Sequence, residues 1–68
     1  MHERYRIELR EDESKNGLLA VVHRPGPPEA WERAHQFADA NPSRIVIIID
    51  TLTGSILGRL QPGQGQLA

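Results

Sequence analysis

The sequence predicts an α+β fold, ββαββ, with a four-stranded antiparallel sheet in the order 2-1-3-4 and one helix packed on one face. Three observations carry that reading. Residues Arg4 to Arg10 alternate polar and apolar, Glu29 to Ala40 place apolar residues at helical spacing behind a proline-rich break, and Arg44 to Asp50 form a β-branched run. The first pattern belongs to a strand with one buried face, the second to an amphipathic helix and the third to a central strand.

In the first strand Tyr5, Ile7 and Leu9 fall on the inward side. The segment Glu11 to Gly17 has no apolar residue and ends in Asn16-Gly17, which predicts a solvated hairpin loop before a second strand at Leu18 to His23. Arg24-Pro25-Gly26-Pro27-Pro28 cannot continue that strand, because proline lacks a backbone donor and fixes φ, whereas Pro28 suits a first helical turn. In the helix Ala30, Trp31, Ala34, Phe37 and Ala38 form the apolar stripe, opposite Glu29, Glu32, Arg33, Gln36 and Asp39. Trp31 and Phe37 are its largest members and are expected to anchor it to the sheet. Asn41-Pro42 ends it.

After the third strand, Gly54 is expected to supply the positive φ of a three-residue hairpin loop, and Ser55 to Leu60 returns as the fourth strand. That loop length sets Thr51 opposite Ser55, and Ile49, Ile48, Ile47 and Val46 opposite Leu57, Gly58, Arg59 and Leu60. The helix-facing side then holds Val46, Ile48, Ile56 and Leu60 around Gly58, whose missing side chain suits a closely packed helix. Ile45, Ile47, Ile49 and Leu57 fall on the other side. A right-handed crossover through the helix makes strands two and three run the same way, with strand one fitted between them. Residues 1–60 form one domain, and 61–68, rich in glycine and glutamine around Pro62, read as a flexible C-terminal tail.

A chain of 68 residues is one domain, and without cysteine it has no disulfide framework, thiolate nucleophile or cysteine-based zinc site. The start Met1-His2-Glu3-Arg4 predicts no signal peptide, and the longest apolar run, Ile45 to Ile49, is far below the roughly 20 residues that span a bilayer. A cytoplasmic setting is the default. The net charge of −1 advertises neither a nucleic-acid field nor a nucleic-acid mimic.

No catalytic, cofactor-binding or metal-ligating set emerges. His2 lies at the terminus, His23 ends a strand, His35 sits on the helix, and their spacing matches no metal motif. Asp50 reads as the cap of the turn that follows it rather than as a catalytic carboxylate. Gly54, Gly58, Gly63 and Gly65 precede no helix and so build no phosphate cradle. The sequence therefore points away from an enzyme, a cofactor and a small-molecule substrate. Arg4, Arg6 and Arg10, with Arg59 nearby, sketch a basic stripe for nucleic acid, but Glu8 interrupts it and no aromatic residue falls on that face to stack bases.

The more informative feature is apolar excess. One helix cannot cover both faces of the last two strands, so Ile45, Ile47, Ile49 and Leu57 are either exposed, shielded by long arginine stems and the tail, or buried against another chain. With Arg6, Arg10 and Arg59 as a polar rim, these residues on the open face, or else a sheet edge, are the expected binding surface for a protein partner or a second copy of the chain. Nucleic acid is the alternative partner, and no membrane association is expected.

Pro28-Glu29-Ala30-Trp31-Glu32-Arg33-Ala34, then Phe37-Ala38, then Ile45 to Asp50 with Thr53-Gly54-Ser55-Ile56, resembles short bacterial and phage ββαββ domains, and a few anti-CRISPR inhibitors are similar in layout. The resemblance covers Leu18 to Leu60. It implies the fold and a protein-binding, inhibitor-like role, and assigns no site residue.

Overall fold

In the computed structural model, which describes residues 3–61, the elements are β1 (Tyr5–Arg10), β2 (Leu18–Arg24), α1 (Pro27–Ala40), β3 (Ile45–Asp50) and β4 (Ile56–Leu60). The strands form one antiparallel sheet in the order β2-β1-β3-β4, as the crossover argument requires. The proposed tail from Pro62 onward lies outside the described residues.

The core follows from two periodicities meeting. Period-two alternation in β1 sends Tyr5, Ile7 and Leu9 to one face, β3 adds Val46 and Ile48, and the helical repeat Ala30, Ala34, Ala38 brings the helix down on them with Phe37 alongside. Three alanines along one helix stripe permit a close approach of backbone to sheet. Phe37 is buried as expected, and the Arg33 guanidinium lies 4.7 Å from its ring centroid, covering it on the solvent side. Trp31 is only partly buried. It reaches past the helix edge to β4, where a Cβ built on Gly58 would run into its indole ring. Gly58 is therefore a point of close packing.

Local chemistry sets the helix ends. Pro27 and Pro28 occupy the first turn, where the missing N–H costs nothing, and Glu29 places a negative charge there. At the other end the Asn41 N–H donates to the Phe37 carbonyl, which also accepts from Asn41 Nδ2 at 3.1 Å. Arg44 Nη1 donates to Asn41 Oδ1 at 3.0 Å, fixing the step into β3.

The β3–β4 connection departs from the three-residue loop. The Asp50 N–H donates to the Ser55 carbonyl at 2.8 Å, and the Gly54 N–H donates back to the Asp50 carbonyl at 2.7 Å, so the loop is Thr51 to Gly54. Gly54 does take positive φ, at 79°, as its position in the turn demands. The extra loop residue arises at Asp50, whose Oδ1 accepts the Leu52 N–H at 3.0 Å and so begins the turn one residue early. Ile49 consequently pairs with Ile56 rather than Leu57, and the register regains Ile48 opposite Gly58 through a bulge at Leu57. Ile56, expected beneath the helix, therefore lies on the open face and is 59% exposed. A second bulge interrupts β2, between the pairs Leu9–Ala20 and Arg10–Leu18.

Candidate interaction surface

Pairing across the sheet arranges the open face in three rows. The first is His23, Arg6, Ile49 and Ile56; the second is Val21, Glu8, Ile47 and Arg59; the third begins Leu18, Arg10, Ile45. Residues in a row are direct cross-strand neighbours, whose side chains touch.

Charge organises the middle of this face. Glu8 is buried although it is acidic, because both neighbours on its own side of β1 are arginines. Arg10 Nε donates to Glu8 Oε1 at 2.8 Å, and Arg6 Nε lies 2.7 Å from Glu8 Oε2 as an ion pair not aligned for a hydrogen bond. Arg10 also reaches the Ser14 carbonyl, and Glu13 of the same loop forms an ion pair with Arg59 on β4. Since β3 lies between β1 and β4, that ion pair crosses β3 on the open side.

The crossing explains which isoleucines are covered. Ile45 and Ile47, the β3 residues in the second and third rows, are 9% and 8% exposed within the single chain. Arg10 stands opposite Ile45 and Arg59 opposite Ile47, with Glu13 paired to Arg59, so arginine stems flank both; the tail expected to share in this shield lies outside the described residues. Ile49, in the first row, stays partly exposed, and Ile56 and Leu57 beside it are open to solvent. Of the residues expected to meet a partner, Ile49, Leu57 and Arg6 thus share the uncovered end, while Ile45, Ile47, Arg10 and Arg59 belong to the shield. Ile56 is the member that sequence reasoning missed, because the bulge that brings it to this face has no local signal.

The hairpin end is closed by a bidentate pair: Arg4 Nε and Nη2 donate to Asp50 Oδ1 and Oδ2 at 2.8 and 2.7 Å. The guanidinium holds the Asp50 carboxyl down to about 2, with the Leu52 N–H assisting. The Thr51 hydroxyl donates to the Arg4 carbonyl at 2.6 Å, tying the start of β1 to the turn. Asp50 is thus a turn cap and an arginine partner at once.

Each arginine of the basic stripe has a carboxylate partner: Arg4 with Asp50, Arg6 and Arg10 with Glu8, and Arg59 with Glu13. Among the described residues no three His, Cys, Asp or Glu side chains gather as a metal site, and no helix is long and apolar enough to cross a membrane. No family model, curated protein or solved structure matches the chain.

Proposed function

We propose that this chain is a non-enzymatic protein-interaction module that meets a second copy of itself or another protein through the first-row end of its open sheet face. The observation that carries this reading is the cluster Ile49, Ile56 and Leu57, left uncovered while the neighbouring Ile45 and Ile47 are shielded. An apolar cluster rimmed by arginine is how protein-binding surfaces are commonly built. Edge-to-edge strand pairing is the less suited mode, because both edge strands carry bulges, which disrupt the backbone row a partner strand would need. A role as a phage- or defence-related inhibitor is the form of this reading that the likeness to short phage domains supports.

Light scattering across a concentration series tests the self-association branch. A dimer that Ile56→Glu converts to a monomer, with the melting transition kept, is the expected result for that branch. An association that survives Ile56→Glu would place the contact elsewhere, and a monomer at every concentration would leave only a different protein as the partner.

A further inference from the structure

The β1–β2 loop demands a glycine directly after Asn16. A Cβ built on Gly17 would overlap both the carboxylate and the backbone carbonyl of Asp12, so any larger residue would push the loop apart. Gly17 is buried, its N–H donates to the Ser14 carbonyl at 3.1 Å, and its carbonyl accepts the Glu11 N–H at 2.8 Å, which closes the hairpin. Asp12 Oδ1 braces the same loop by accepting from the Ser14 N–H at 2.9 Å and from the Ser14 hydroxyl at 2.5 Å. Asn16 itself is exposed, and its side-chain amide bonds to none of the described residues. An electrophilic amide therefore stands free beside a backbone nitrogen whose residue has no side chain to hinder it. The other asparagine, Asn41, has both ends of its amide bonded and is followed by Pro42, which has no N–H.

We propose that Asn16-Gly17 is a site of spontaneous deamidation, held in check by the folded β1–β2 loop. The Gly17 nitrogen, after giving its proton to solvent base, attacks Asn16 Cγ, and the new N–Cγ bond closes a succinimide ring. The Cγ–Nδ2 bond breaks to release ammonia, its third proton coming from solvent. Water then opens the ring. Cleavage at Cγ leaves aspartate, and cleavage at the Asn16 backbone carbonyl leaves isoaspartate, whose main chain runs through the former side chain. In the closed loop the Gly17 N–H is buried and bonded to the Ser14 carbonyl, so attack waits on local opening. Isoaspartate adds a methylene to the main chain inside the turn between Ser14 and Gly17, so the loop that carries Glu13 to Arg59 cannot close as before.

The test incubates the full chain in mildly alkaline buffer, folded and in urea, and follows Asn16 and Asn41 by peptide mass mapping with enzymatic methylation of isoaspartate. Conversion of Asn16 is expected in both samples, about tenfold or more slower in the folded one, with Asn41 unchanged over the same period. Asp12→Ala, which removes the brace on Ser14, should speed the folded sample toward the urea rate and leave the urea rate close to the parent's. Asn16→Gln should abolish the isoaspartate, because the longer side chain closes a larger ring less readily. No conversion of Asn16 in urea, or isoaspartate that persists in Asn16→Gln, would overturn the site. Equal rates in the two samples, or a folded rate that a folded Asp12→Ala leaves unchanged, would overturn its protection by the loop. The two rates of the parent chain decide this even if Asp12→Ala fails to fold.

Discussion

At the scale of single residues, two positions join local geometry to stability. Gly58 lies under the Trp31 indole, so Gly58→Ala must displace the ring or the strand. Overpacking of this kind costs about 1–3 kcal/mol, and a urea midpoint lowered accordingly is the expected result. The second position is Asp50. Its folded pKa, about 2, lies below the ordinary value of 3.8, so its contribution to stability is fully present above that ordinary value. That contribution is lost as pH falls from about 4 through 2, because the unfolded chain takes up the proton first. Unfolding midpoints measured across that window should fall less steeply for Asp50→Asn than for the parent chain. Parallel curves would show that the Arg4 pair does not couple folding to this proton.

Among the elements, α1 has one large side chain that is fully in the core. Ala30, Ala34 and Ala38 let the helix approach but each buries little area, and Trp31 packs only partly buried at the edge over Gly58, so Phe37 is the helix's main buried anchor. Phe37→Ala should cost about 3–5 kcal/mol, enough to unfold a domain of this size, and an unchanged thermal midpoint would mean the helix docks by other contacts. The elements also show what was readable before the structure. Alternation in β1 and the spacing of Ala30, Ala34, Phe37 and Ala38 name the buried faces directly, and the turn residues place each break. Loop length is different, because a glycine at positive φ fits a three-residue and a four-residue hairpin equally, and the Asp50 carboxylate capping Leu52 is what decides between them. The bulges at Leu57 and beside Leu18 have no signal in residue type, so pairing without them sets Ile56 beneath the helix, whereas the bulge at Leu57 turns it to the open face. Strand alternation sets Glu8 between Arg6 and Arg10 on the polar face, but its burial is not legible there, because it depends on both guanidinium groups folding onto one carboxylate.

Over the whole molecule, the open sheet face divides into a shielded part and a free part. Ile45 lies opposite Arg10, and Ile47 lies between Glu8 and Arg59, with Arg59 held in a long-range ion pair to Glu13 that no spacing in the sequence announces. Ile45 and Ile47 are buried within the chain, and Ile49, Ile56 and Leu57 are left partly or fully open. The sharpest test compares urea unfolding of Ile47→Glu with that of Ile56→Glu. A charge forced beneath the arginine stems at Ile47 should cost about 3 kcal/mol or more, whereas the same charge at the exposed Ile56 should stay within roughly 0.5 kcal/mol of the parent chain. Equal losses, or a larger loss at Ile56, would contradict the division of the face on which the interaction surface depends.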